Sequence, residues 1–148
     1  MRLALYQPDI PQNTGTLMRF CACLGVPLDI IEPCGFMLDD RRVRRAHMDY
    51  LEHLDYTRHN NWQIFQTTQP QGRRILMTTK SSIAYTYFKF QPDDILIAGR
   101  ESAGVPDDVH HSVDAHVVIP MVKDVRSINV AMSCAMILGE ALRQTRQQ

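Results

Sequence analysis

No apolar stretch in this chain approaches the roughly 20 residues that a membrane-spanning helix requires. The first residues, Met1-Arg-Leu-Ala-Leu-Tyr6, lack the apolar core and small-residue cleavage site of a secretory signal. The expectation is a cytoplasmic protein without membrane contact. Net charge is also missing, since 16 basic and 16 acidic side chains balance with His neutral. That excludes bulk electrostatic capture of nucleic acid but leaves room for a local patch. The four cysteines, Cys21, Cys23, Cys34 and Cys134, follow no zinc spacing and form no Cys-x-x-Cys motif. They read as small apolar core residues. The six His hold no His-x-x-x-His pair, and the adjacent His110 and His111 would not share a helix face. No metal is expected. Familiar nucleotide loops are absent as well. Gly99-Arg-Glu-Ser-Ala-Gly104 has the Walker glycine spacing, but Val105 and Pro106 replace the Lys and Ser/Thr that would hold phosphate and magnesium. No Gly-x-Gly-x-x-Gly follows the first strand, and no Gly-x-Ser-x-Gly elbow occurs.

What is present is the composition of an ordinary globular domain, 45% apolar and 22% charged over 148 residues. One domain spanning 1–148 is expected. Arg2 to Tyr6 reads as a strand. Asn13 is placed to cap a helix running through Leu17 and Leu24 to a stop at Gly25. Pro27 to Ile31 is a second strand, residues 38–50 a basic helix, and Leu54 to Thr57 a short strand. Asn60 or Asn61 then caps a helix through Trp62 and Phe65 that ends near Pro70. Strands follow at Arg73 to Thr78 and Asp94 to Ala98, the latter nearly all apolar as in a sheet covered on both faces. Between them, Ser81 to Phe90 is aromatic and β-prone with unclear edges. Pro106 suits the first turn of a helix over 106–111. A strand at 115–119 and a helix from Ile128 to Gln144 end the chain. In that helix Ile128, Met132, Ala135, Leu138 and Leu142 form a stripe at offsets of three and four. The alternation gives an α/β fold with a mostly parallel sheet and helices on both faces.

Three loops after strands carry unusual polarity: Asn13 to Arg19, Gly99 to Gly104, and Arg126-Ser-Ile-Asn129. In open α/β sheets such loops bind ligands. Free N–H groups at a helix start add an acceptor site there, although Ser127 beside Asn129 also reads as a plain N-cap. A separate cluster, Arg41-Arg42-Val-Arg44-Arg45, packs four guanidinium groups into five residues. It is either a solvated helix face or a phosphate-gripping patch.

Taken together, these segments resemble the SPOUT methyltransferases, in particular the small TrmL/YibK type of the TrmH-like branch. Ile10-Pro-Gln-Asn13-Thr-Gly15 with Arg19 is similar to the first family motif. Ile30-Ile-Glu-Pro-x-Gly-Phe36 with Asp39-Asp40-Arg-Arg resembles a segment of the short subgroup. Leu96-Ile-Ala-Gly-Arg-Glu101-Ser-x-Gly104-Val-Pro106 resembles the second motif, and Ile119-Pro-Met with Arg126-Ser-Ile-Asn129 the third. The order and near full-length coverage make this specific. Arg100 and Ser102 depart from the Pro and Thr frequent in relatives, and Asn129-Val-Ala-Met-Ser replaces the frequent Asn-Leu-Ser.

The resemblance implies a deep C-terminal trefoil knot with the cofactor site at about 75–148, a threading that patterning alone never suggests. It implies a homodimer, S-adenosyl-L-methionine as methyl donor (leaving S-adenosyl-L-homocysteine), and a tRNA anticodon stem-loop as substrate. The reaction would be 2′-O-methylation of cytidine or uridine at nucleotide 34. Cofactor contacts carry over to Met77, Thr78, Gly99, Glu101, Gly104, Ile119, Met121 and Ser127. Catalytic or supporting roles carry over to Arg19, Asn13, Glu101, Ser127 and Asn129. Arg41, Arg42, Arg44 and Arg45 become RNA-binding candidates. A guanidinium with a pKa above about 12 is a poor base, so Arg19 reads as orienting the 2′-OH or a phosphate unless a neighbour lowers its pKa. Other readings stand at this point: 2′-O-methylation of ribosomal RNA or of another tRNA position, a non-catalytic knotted RNA-binding protein, and a plain α/β nucleotide-binding module.

Overall fold

The computed structural model describes residues 1–39, 41, 43, 45, 49–69 and 71–146. Among the described residues, six parallel strands form one sheet in the order β3-β2-β1-β5-β4-β6. They are β1 (Arg2–Tyr6), β2 (Leu28–Ile31), β3 (Tyr56–His59), β4 (Arg74–Met77), β5 (Ile95–Ala98) and β6 (Ala115–Val117). The helices are α1 (Pro11–Leu24), α2 (Trp62–Thr68), α3 (Asp107–Ser112) and α4 (Val130–Thr145). Arg41, Val43 and Arg45 are also helical. Among the described residues, no helix is long and apolar enough to cross a membrane.

The two-residue period of the strands divides the core. Leu3 and Leu5 of β1 point to one face, where Leu17, Met18 and Cys21 of α1 meet Cys134, Ile137, Leu138 and Ala141 of α4. Ala4 and Tyr6 point to the other, against Trp62 and Phe65 of α2 and Val109 of α3. Central β5, Ile-Leu-Ile-Ala, is buried at every position. Polar groups are enclosed with them, Thr14, Asp29, His59 and Asp94 among them. Asp29 in β2 is fully buried, and its carboxylate accepts from Arg2 Nε at 2.8 Å and lies 2.7 Å from His59 Nε2. Both oxygens have partners, which is what a charge needs to survive there.

Several local expectations are corrected by the fold. Helix α1 starts at Pro11 with Ile10 at the N-cap position, so Asn13 lies inside the helix, buried, and caps nothing. A proline at the first helical turn loses no hydrogen bond, which allows the earlier start. Gly25 does end α1, in the left-handed conformation at φ 60°. Strand β3 lies two residues beyond the expected span, because residues Leu51–His53 form a 3₁₀ turn. The aromatic stretch 81–90 is no strand. It is a loop with a 3₁₀ turn at Tyr85–Tyr87 that touches the sheet edge through an Ala84–Val118 bridge. Pro106 stands at the N-cap position of α3 rather than in its first turn, and Asn129, not Ser127, caps α4. The stripe of α4 is Cys134, Ile137, Leu138, Ala141 and Leu142, while Met132 is 63% exposed. Of the cysteines only Cys21 and Cys134 are core residues. Cys34 is half-buried and Cys23 exposed.

Candidate active site

With all strands parallel, the carboxyl ends of β1, β5, β4 and β6 lie along one edge of the sheet. The order departs from sequence succession between β1 and β5, where open α/β sheets place their ligand sites. The loops leaving these four strands enclose a cavity of about 400 Å³, within the usual range for small-molecule sites. Its apolar wall includes Ile10, Val117, Ile119 and Ile137. Met77, Thr78, Gly99, Glu101, Gly104, Ile119, Met121 and Ser127 all line it, so every residue expected at a cofactor is brought to one place.

The turn after β5 is built by its glycines. Arg100 and Gly104 exchange two backbone hydrogen bonds at 2.9 Å each, and Gly104 has φ 65°, which a side chain would strain. A Cβ on Gly99 would come within 2.8 Å of the Gly104 backbone. The turn therefore closes on itself and offers bare backbone to the cavity.

Beside it runs a polar chain linking the first, second and third motif-like segments. Asn129 Nδ2 donates to Asn13 Oδ1 at 3.0 Å, and Asn13 Nδ2 donates to Glu101 Oε1 at 3.4 Å. Asn129 Oδ1 meanwhile accepts from the N–H groups of Ala131 and Met132 at the start of α4. Glu101 Oε2 accepts from the Asp9 N–H at 2.9 Å, and Asp9 Oδ1 accepts from the Glu101 N–H at 3.1 Å. Ser102 donates its hydroxyl to Asp9, and the Arg100 guanidinium lies 3.7 Å from the same carboxylate. Burial pushes the Glu101 carboxyl up, with its Asp9 neighbour adding to the effect. Asp9 is held down, first by its hydrogen bond with Glu101 and further by Ser102 and Arg100. The pair thus keeps its negative charge on Asp9 and the more readily held proton on Glu101. Asp9 escaped the reading of the sequence. An Asp between two prolines reads as loop polarity, and its partners are 92 and 93 residues away.

Arg19 is not brought to this cavity. It is exposed on α1, where its Nη2 donates to the Tyr50 hydroxyl at 3.1 Å and its Cζ lies 4.7 Å from the centre of the Tyr50 ring. Six residues separate Asn13 from Arg19, and at 100° per residue they leave on different faces of the helix. Arg41 and Arg45 are exposed and helical with Val43 buried between them. Arg42 and Arg44 lie outside the described residues. Among the described residues no three His, Cys, Asp or Glu side chains converge in a way that could hold a metal ion.

The cavity's fit to a nucleoside-bearing cofactor is plain in its materials. Apolar walls suit an adenine ring, exposed backbone suits its edge, and the Thr78, Glu101 and Ser127 side chains offer groups for hydroxyls.

Comparison with known proteins agrees in scale and detail. The sequence profile of the SpoU rRNA Methylase family matches residues 1–139. The tRNA (cytidine(34)-2′-O)-methyltransferase of Beijerinckia indica is 60% identical over 144 residues, covering 96% of this chain and 90% of that protein. The protein of the same name from Escherichia coli K12 is 39% identical over 146 residues, covering 97% and 93%. A solved structure described as giving insight into 2′-OH methylation of C/U34 on tRNA superposes with a TM-score of 0.90. It is 37% identical and covers 97% of this chain and 94% of its own.

Proposed function

The chain belongs to the SpoU methylase family, and from that premise we propose that it is a tRNA 2′-O-methyltransferase acting on the ribose of nucleotide 34, cytidine or uridine. The observation that carries the reading is the Asn129–Asn13–Glu101 chain at the mouth of the cavity, which joins three segments distant in sequence. S-adenosyl-L-methionine is the methyl donor assigned to the cavity, and when bound it supplies an electrophilic methyl group on a sulfonium. The protein does the rest by position. The apolar wall excludes water, which strengthens every polar contact inside. The 99–104 turn fixes the depth at which a ligand sits, because Gly99 and Gly104 present backbone with no side chain to move. Asn13, Asn129 and Glu101 hold one another and so fix the polar rim where the ribose must enter.

Arg19 is assigned to the tRNA side of the reaction. A guanidinium is a poor base and a good anion-binding fork, so its part is to orient the 2′-OH or the neighbouring phosphate. Since it lies outside the cavity of its own chain, we read the active form as a homodimer in which Arg19 serves the partner's site. The exposed Met132 and Met136 on α4 and Ile10 before α1 supply apolar surface for that contact. Arg41 and Arg45, with Arg42 and Arg44, are assigned to the anticodon stem, where phosphate contacts set register while the exposed loop base is read. The C-terminal part is read as a trefoil knot, supported by the pairing of β6 with β4 and by the contact of Val118 with residues 83–85. The expected setting is the cytoplasm.

The test is methyl transfer from labelled S-adenosyl-L-methionine to bulk tRNA taken from cells lacking this protein, with nuclease mapping. Label in a 2′-O-methylated nucleotide 34 is the expected result. Label at another tRNA position, or in ribosomal RNA alone, would overturn the assignment.

A further inference from the structure

We propose that Asp9 is a positioning residue for methyl transfer, clamping Glu101 and the 99–104 turn against the entrance of α1 so that Glu101 meets Asn13 in the required alignment. This rests on the function proposed above. Asp9 and Glu101 are joined reciprocally, each backbone N–H donating to the other's carboxylate, at 2.9 and 3.1 Å. Two such bonds fix both the distance and the rotation between the loop after β1 and the loop after β5. The second Asp9 oxygen takes the Ser102 hydroxyl and faces Arg100, so one side chain gathers three consecutive residues of the turn.

The third wall of this clamp is Gly35. A Cβ there would lie 2.7 Å from Asp9 Cβ and 3.0 Å from its Cα, closer than packed atoms come. The Gly35 N–H also donates to the Pro8 carbonyl at 2.9 Å, which holds the loop after β2 against the back of Asp9. Glycine at 35 is thus a requirement of Asp9's seat, and Asp9 is fixed from behind as well as in front. A surface carboxylate that only solubilised its loop would need none of this.

The geometry also gives Asp9 a chemical consequence. Its anion beside Glu101 opposes ionisation of that half-buried carboxyl. Arg100 on the turn faces Asp9, and the thiols of Cys34 and Cys134 lie near enough to Glu101 to feel its charge. Replacing Asp9 by Asn keeps an acceptor for the Glu101 N–H and removes the charge. Replacing it by Ala removes both.

The experiment compares full-length wild type, Asp9→Asn and Asp9→Ala. Carboxyl carbon-13 NMR follows the titration of Glu101, and steady-state methylation of tRNA follows kcat and KM. The expected results are a lower Glu101 midpoint in Asp9→Asn, with the acid limb of its kcat profile displaced to lower pH by the same amount. Asp9→Ala is expected to lose about 10- to 100-fold in kcat, its KM for tRNA holding within about twofold, and Asp9→Asn to recover most of that loss. Gly35→Ala, which displaces Asp9 without removing it, is expected to lower kcat with the tRNA KM preserved, and it serves where Asp9→Ala fails to fold. An unchanged Glu101 midpoint in Asp9→Asn, or a kcat loss that only follows the unfolded fraction in every variant, would overturn the role. The NMR result is independent of turnover. A midpoint shift in a wild-type background that methylates no tRNA would leave the clamp standing and remove the function assigned above.

Discussion

At the level of single residues, the site separates groups that hold from groups that act. Among the described residues Arg19 meets Tyr50, through one hydrogen bond and one ring face. Arg19→Lys keeps the charge but loses the planar fork. It is expected to abolish turnover while leaving S-adenosyl-L-methionine affinity unchanged by calorimetry, and equal loss of both would place Arg19 at the cofactor instead. Glu101 is a second case. Burial raises its folded pKa above its unfolded one, so its favourable contribution is present below the unfolded value and is lost as pH rises through the folded value. Glu101→Gln, locked in the neutral form, is therefore expected to melt no lower than wild type at neutral pH while losing methyl transfer. A lower melting temperature would show that the ionised carboxylate stabilises the fold. Asn13 shows where a local reading ends. Its type and place suggest a cap, and only the arrival of Asn129 from 116 residues away makes it the hub of a site.

Among the elements, legibility followed periodicity. Strands β1, β2, β4 and β5 were readable because buried parallel strands are apolar runs with sharp ends, and α1 because Gly25 marks its stop. The stripe of α4 was half readable. Leu138 and Leu142 are core, but Met132 obeys the same spacing and faces out, since spacing cannot tell a core contact from a surface awaiting a partner. Residues 81–90 misled for a related reason. Tyr85, Tyr87 and Phe88 have strand propensity, yet the segment meets the sheet edge only through a few contacts such as the Ala84–Val118 bridge and Ser81 to the His116 carbonyl, and its shape comes from tertiary contact. The site residues were legible through family resemblance far more than through chemistry, because no single loop carries a complete constellation. Two predictions belong here. Leu138→Ala in the α1–α4 face is expected to cost about 2–5 kcal/mol in chemical denaturation. Arg41→Ala combined with Arg45→Ala is expected to raise the tRNA KM and flatten its dependence on salt, leaving cofactor affinity intact. A salt slope equal to that of wild type would return these arginines to a solvent-facing role.

For the whole molecule, the cavity and Arg19 lie apart on one chain, and the homodimer reading makes a sharp demand. Arg19→Ala and Glu101→Gln chains, each inactive alone, should form mixed dimers with one complete site when co-expressed. Restored methylation is the expected outcome, about a quarter of the wild-type rate for randomly assembled dimers and about half in purified mixed dimers, and none would require Arg19 to reach the cavity of its own chain.

The packing of α4 on α1 has a consequence during synthesis. Helix α1 is synthesised well before α4, on which it rests, and Arg146 donates to the Leu24 carbonyl across 122 residues. Early segments therefore have no finished core to fold onto, and domains generally settle as units once their chain is available. Until the final helix emerges, Leu17, Met18 and Cys21 have only part of their cover. The α1–α4 face is thus completed only once α4 is available, so chains truncated before α4 should be cleared as unfolded protein.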